Sequence, residues 1–230
     1  MQIESVRGVH EVVIYRIENG SEVEALRETK NGEHTLNYAP EIDFTEATSK
    51  LKVVVSDGRE GKEAIGYMKA YVNMDVATLN VGSQPLANNA HVKYPDAFGM
   101  VSLNDLKTYS VDYAIANEVN AKNVDFKFYC FGASGSPRLY SMDNTGKDGE
   151  FSGSTGKLSA IKVKNLTRFA ILSNFDYENA TVASISSEIL SSSIAQSLLD
   201  PIAVGNVIAF RTGGSSAAGG GRIGAVSYTH

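Results

Sequence analysis

The stretch Asp143-Asn144-Thr145-Gly146-Lys147-Asp148-Gly149-Glu150 gathers oxygen ligands of the kind a hard cation prefers. A Ca2+ ion held by Asp143, Asp148 and Glu150 is the metal reading of this loop. Its spacing is not that of an EF-hand, and Lys147 puts a positive charge among the ligands, so an exposed turn with no cofactor is the alternative. A second candidate rests on tyrosine, which joins a large apolar face to a hydroxyl and so suits sugar stacking or a protein contact. Tyr67, Tyr71, Tyr94, Tyr109, Tyr113, Tyr129 and Tyr140 supply such faces. Tyr129 and Tyr140, with Arg138 beside them, form the expected ligand-binding set, next to the loops 132–140 and 143–150. The absence of tryptophan weakens the case for a dedicated glycan platform.

Catalytic constellations are poorer. Asp125 and Asp176 are the carboxylates that would serve as acid and base in a hydrolase acting on an extracellular polymer. Asp125 stands just before an apolar strand, where a polar strand end is the plainer reading. Gly132-Ala133-Ser134-Gly135-Ser136 lacks the glycine two places after Ser134 that a nucleophile elbow requires. His10, His34, His91 and His230 are far apart, with no second histidine at metal-ligand spacing. Gly219-Gly220-Gly221-Arg222-Ile223-Gly224 satisfies G-x-G-x-x-G, but too little chain follows it for the helix and acidic residue of a dinucleotide site. Gly153-Ser154-Thr155-Gly156-Lys157 resembles a shortened phosphate loop, yet Leu158 stands where a hydroxyl residue is needed. A mobile polar loop is the simpler account. The chain is therefore expected not to be an enzyme.

Composition bounds the remaining classes. The 230 residues suit two modest domains, and 43% hydrophobic with 20% charged residues is a globular balance. No apolar run reaches the length of a spanning helix. A net charge of −5, with lysines and arginines scattered, gives no footprint for nucleic acid. The lone Cys130 lies in an apolar strand pattern, so neither an internal disulfide nor a Cys-based zinc site is expected. The sequence reaches strand-like residues almost at once after Met1, so any secretion signal is expected to be missing from it.

The elements that must position these residues are mainly strands. Glu11 to Ile17 alternates and leads into the turn Glu18-Asn19-Gly20-Ser21, since Asn-Gly accepts positive φ at low cost. Leu51 to Val55 is apolar at odd positions, and Gly66 to Met74 alternates Met68, Ala70, Val72 and Met74 against Tyr67, Lys69, Tyr71 and Asn73. Short strands with frequent polar turns predict an Ig-like β-sandwich over residues 1–74, without the tryptophan and disulfide of antibody domains. A β-sheet domain carrying two helical segments is expected over 75–230, so the fold class is mainly β with an α+β C-terminal domain.

In that second part a strand is predicted over Val76 to Val81. Val111, Ala114, Ile115 and Val119 recur at helical spacing behind Ser110 as N-cap. Val124, Phe126, Phe128 and Cys130 then share one strand face, with Asp125, Lys127, Tyr129 and Phe131 on the other, as in a central strand. Phe169 to Leu172 is a further strand. Ile185, Ile189, Leu190, Ile194 and Leu198 suggest a helix interrupted at the serines 191–193. Val207 to Thr212 and Ile223 to Tyr228 close the chain as strands joined by a flexible, exposed GGSSAAGGG linker.

In the second part, Thr78-Leu79-Asn80-Val81-Gly82, Tyr109 to Ala116, Val124 to Tyr129 with Leu139-Tyr140-Ser141, Asn165 to Phe169, and Val204 to Thr212 occur in an order and spacing that resembles a family of Bacteroidetes surface lipoproteins. Members of that family pair an Ig-like N-terminal domain with an α+β domain of unassigned chemistry. They continue after the AFRT strand into Gly-Lys-Tyr-Gly or a similar tight turn, whereas this chain has GGSSAAGGGRIG. The resemblance implies export, a lipid-modified cysteine absent from this sequence, and an outer-membrane location on the cell surface, often beside SusC/SusD-type importers. The expected function is then a non-catalytic surface protein that binds a glycan or peptide nutrient or docks on such an importer. It would touch the membrane only through a lipid anchor. An adhesion or structural subunit assembling through exposed β edges is the alternative.

Overall fold

The computed structural model describes residues 1–82, 97–130, 135–191 and 193–229. Tyr94, His91, His230, Phe131 and the Ser134 elbow candidate lie outside the described residues. The chain divides into two compact units, residues 1–75 with 178–184, and residues 76–177 with 185–230.

The first unit is one antiparallel sheet, ordered β2-β1-β3-β4, from β1 (Gln2–Glu18), β2 (Ser21–Asn37), β3 (Thr48–Ser56) and β4 (Glu63–Lys69). The β1–β2 turn is the expected Asn19-Gly20 pair, with φ of 50° and 83°, which closes the ladder at Glu18 opposite Ser21. Val9, Val12, Ile14, Leu51 and Val53 bury one face under Tyr38 and Ile42 of the segment after β2. The β-rich character of these residues is as read from the sequence. The Ig-like sandwich is not what they build, because all four strands join one sheet and the apolar face is covered by a crossing segment instead of a second sheet. The last strand also ends at Lys69 and not at Met74; Ala70 makes one more bond, to the Ser49 carbonyl, at 2.9 Å.

The second unit has the layered packing that the first lacks. Its five-stranded antiparallel sheet runs β10-β8-β7-β5-β6, from β5 (Met100–Ser102), β6 (Lys107–Tyr109), β7 (Phe126–Tyr129), β8 (Arg138–Ser141) and β10 (Leu198–Leu199). A three-stranded sheet, β12-β11-β9, is made by β9 (Arg168–Leu172), β11 (Val207–Arg211) and β12 (Ile223–Ser227). Val101, Phe126, Phe128 and Leu139 of the larger sheet pack on Phe169, Ile208 and Phe210 of the smaller one. Phe126 and Phe169 meet edge to face at 5.7 Å, a contact worth about 0.5–1.5 kcal/mol beyond its buried area. The outer face of the small sheet, through Leu172, Val207 and Ala209, packs against Ile185 and Ile189 of α3 (Val182–Ser191).

The opposite face of the five-stranded sheet carries Met100, Tyr129 and Tyr140. It is covered by α1 (Val111–Ala116), α2 (Glu118–Lys122) and a 3-10 turn at Leu158–Ala160. Ser110 caps α1 as expected, its hydroxyl accepting from the Tyr113 N–H at 3.2 Å. The single helix expected there is two, because extended Asn117 ends the first and caps the second through Asn120 N–H at 2.9 Å. That break leaves Val119 exposed. Two other expectations differ: among the described residues 76–81 pairs in no sheet, although Leu79 and Val81 pack on the core between the two sheets, and Leu198 joins strand β10 where a helix was predicted.

Candidate functional site

The residues singled out by sequence fall around β7, β8 and the turn that follows. Their chemistry is directed inward. Tyr129 and Tyr140 are both under a tenth exposed and meet edge to face at 6.3 Å, so their ring faces are committed to the core. The Tyr129 hydroxyl donates to Glu150 at 2.5 Å, and that bond, together with burial, raises its pKa. Arg138 is half-buried, its guanidinium bonded to Asp200 at 2.8 Å and set over the Tyr129 ring. Tyr129, Arg138 and Tyr140 are neighbours, but only the arginine and a hydroxyl edge face outward. A sugar-stacking platform is not available there, because stacking needs an open ring face.

The proposed cation ligands do not converge. Asp143 is paired with Arg168 through bonds of 2.8 and 2.7 Å. Asp148 contacts Lys127 and also accepts from Lys164 at 2.8 Å, and Glu150 accepts from Lys147 at 2.6 Å. Each carboxylate has its own cation, and among the described residues no group of three His, Cys, Asp or Glu side chains could hold a metal ion. The positive charge of Lys147, visible in the sequence, serves Glu150 instead of standing beside a cation.

Lys127 is the residue most misplaced by its pattern. It was expected on the polar face of a central strand, and β7 is central, with every residue of it buried. The Lys127 side chain is 0% exposed, its ammonium donates to the Asn144 carbonyl at 2.8 Å and contacts Asp148, and the Tyr140 and Phe151 rings lie 5.5 and 5.7 Å away. Burial lowers the amine's pKa, with the bond to Asp148 opposing. Nothing in the alternation separates a lysine under a covering turn from one in water.

Asp125 is buried at the head of β7. One carboxylate oxygen accepts from Leu103 N–H at 2.7 Å and the other from the Ser216 hydroxyl at 2.5 Å. Burial raises its pKa against these bonds. Asn165 joins the same network, donating to the carbonyls of Lys122 and Val124 at 2.8 Å and accepting from Ser215 at 2.8 Å. The GGSSAAGGG linker is therefore anchored through Ser215, Ser216 and the Ala217 N–H, contrary to the flexible segment expected. Asp176 is exposed between β9 and α3, so these two carboxylates do not line a common cleft.

The phosphate-loop look-alike has a physical basis. Ser154 and Thr155 give their backbone N–H groups to Asp112 at 3.0 and 2.9 Å, and both hydroxyls bond the same carboxylate. The anion these donors hold is the chain's own. A β-carbon on Gly153 would fall 2.1 Å from that carboxylate, which explains a glycine there.

In the first unit, β4 is the outermost strand, and all seven of its residues are exposed. Ile65, Tyr67 and Met68 are 52%, 64% and 52% exposed. Beside it lies an apolar groove of about 260 Å³, lined by Met1, Tyr38, Ile42, Phe44 and Met68 among others. Among the described residues no strand pairs with the outer side of β4, so a row of its backbone N–H and C=O groups faces outward. The alternation set Tyr67 on the face opposite Met68, but gave no sign that both faces of the strand are open.

No protein-family model, no curated protein and no solved structure matches this chain. Among the described residues no helix is long and apolar enough to cross a membrane.

Proposed function

We propose that this chain is a non-catalytic surface protein that holds an extended segment of a partner protein or peptide along β4. The observation that carries the reading is an edge strand exposed on both faces, with three large apolar side chains and a neighbouring apolar groove. An added strand satisfies the outward backbone groups and seats an alternate side chain in the groove, which is the division of affinity and specificity in β-augmentation. Glu63 at one end favours a partner strand with a cation beside it, while Lys69 at the other end is already paired with Glu178. The resemblance to Bacteroidetes surface lipoproteins supports a lipid-anchored position on the outer membrane. There a nutrient peptide or a strand of a SusC/SusD-type importer would supply the segment.

The test pans a random peptide library against the full chain and against an Ile65→Lys, Tyr67→Glu variant, whose changes fall on exposed positions and whose fold is checked by circular dichroism. Expected binders alternate apolar residues, are lost with the variant, and slow amide exchange across 63–69. Peptide capture indifferent to the variant, or binding confined to a polysaccharide array, overturns the reading. So does a wild-type chain that only pairs with itself through β4, which would favour an adhesion or structural subunit.

A further inference from the structure

A primary amine and a carboxyl group are pressed together inside the second unit, where neither takes part in the binding proposed for β4. Lys127 reaches Asp148 from the central strand, and both side chains are withdrawn from water, at 0% and 5% exposure. The Asn144 carbonyl fixes one side of the amine at 2.8 Å, while Tyr140 and Phe151 wall it off from solvent. On the far side of Asp148, Lys164 donates to Oδ2 at 2.8 Å, leaving Oδ1 for Lys127. The two carboxylate oxygens thus have distinct partners.

We infer that Lys127 Nζ and Asp148 Cγ condense into an intramolecular isopeptide bond that ties β7 to the turn after β8. Burial lowers the Lys127 pKa toward the neutral amine, and the proton that Nζ gives up passes to Oδ1 as the reaction begins. A desolvated lysine of this kind is an activated nucleophile. Its lone pair attacks Cγ, forming the N–C bond, and negative charge develops on Oδ2. Lys164 already stands at that oxygen, as a donor must if it is to stabilise the tetrahedral species. A second proton passes from nitrogen to Oδ1, the Cγ–Oδ1 bond breaks, and one water leaves. The ammonium and carboxylate of the starting pair supply every atom of the amide and the water, so no co-reactant is needed. Holding the two groups in contact replaces a bimolecular condensation, where effective molarities of about 10⁵–10⁸ M are reached in well-oriented systems.

The product also removes a standing cost. Two ions held out of water carry a desolvation penalty, whereas the amide carries no charge. Lys164 keeps its hydrogen bond, now to the amide oxygen.

The experiment weighs the folded, purified full chain under denaturing conditions and maps its tryptic peptides. The expected mass is lower than that of the sequence by one water. Cleavage after Lys127 is lost, and the peptide 123–138 is found joined to 148–157. Lys127→Met restores the full mass. Asp148 is followed by Gly149, so a cyclic imide within one peptide would lose the same water. An imide confined to 148–157, or a mass deficit that persists in Lys127→Met, overturns the inference. Full sequence mass after prolonged incubation of the folded wild-type chain overturns it as well. Because the wild-type peptide map decides by itself, a poorly folding variant does not blunt the test.

Discussion

At Asp112 and Asp125 two carboxylates of one unit are driven in opposite directions, and their pH effects separate accordingly. Hydrogen bonds from the Ser154 hydroxyl and the Thr155 N–H hold Asp112 well below the usual carboxylate range. A depressed folded pKa gives stability that is present above the unfolded value of about 4 and is lost as pH falls through the folded value. Asp112→Asn is therefore expected to flatten the acid limb of a urea-midpoint series, and the Asp112 carboxyl carbon should remain ionised in the NMR spectrum at pH values where ordinary aspartates protonate. Titration at the ordinary value would show that the Ser154–Thr155 clamp is not formed in solution. Asp125 has the reverse sign. Burial raises its folded pKa above the unfolded one, so its contribution is full below about 4 and declines as pH rises through the folded value. Asp125→Asn should remove that decline between the ordinary aspartate value and neutrality, whatever its effect on absolute stability. A midpoint series with unchanged slope would contradict the assignment. The sequence marked Asp125 only as a candidate catalyst, and neither carboxylate's environment is legible from its neighbours. Their actual partners are 42 and 91 positions away in the chain, which local spacing does not encode.

Among the elements, the hairpin β1–β2 shows what local sequence specifies and what it leaves out. Its turn is set by Asn19-Gly20 alone, and the ends of the β3 ladder follow from alternating Leu51, Val53 and Val55. The irregularity lower in the hairpin depends on two glycines meeting across strands. Gly8 has φ +88°, and a β-carbon there would lie 2.2 Å from the Gly32 carbonyl oxygen, an atom of the backbone that cannot swing aside. Gly20 has a similar φ, +83°, with nothing within 4 Å. Gly20→Ala is expected to cost about 1–2 kcal/mol, the ordinary penalty of the left-handed region. Gly8→Ala should cost clearly more in chemical denaturation, since it adds a backbone clash at the register shift between Glu4 and Val9. Equal losses would mean that the two strands do not approach as described. The same distinction explains the other elements. The end strands β11 and β12 were legible from their apolar runs. The buried face of β7 was not, because alternation reports one covered face and cannot see a turn folded over the second. The split of α1 from α2 turned on Asn117, a residue that competes for backbone donors and reads in sequence as an ordinary polar position.

Across the whole molecule, the two units bury their strands to different depths, and amide exchange should record the difference. The first unit has one sheet with a single covered face and an outermost strand that is exposed along its length. The second packs its central strand β7 between Phe169 and Phe210 on one side and Phe151 and Leu158 on the other. Opening free energy scales with the apolar surface and hydrogen bonds released, so exchange of β7 amides should approach the global limit of their unit while β4 exchanges through small local openings. The expected order is β4 fastest and β7 slowest in the full chain at low concentration. Raising the chain concentration should leave β4 unchanged if the strand awaits a different protein. Adding a peptide selected on β4 should slow 63–69 and leave β7 as it was. If β4 is already protected at low concentration and loses protection on further dilution, a second copy occupies its edge, and the partner proposed for it is wrong. If β7 exchanges as readily as β4, the double covering of the five-stranded sheet does not persist in solution, and the enclosed Lys127–Asp148 pair loses the dry surroundings on which its condensation depends.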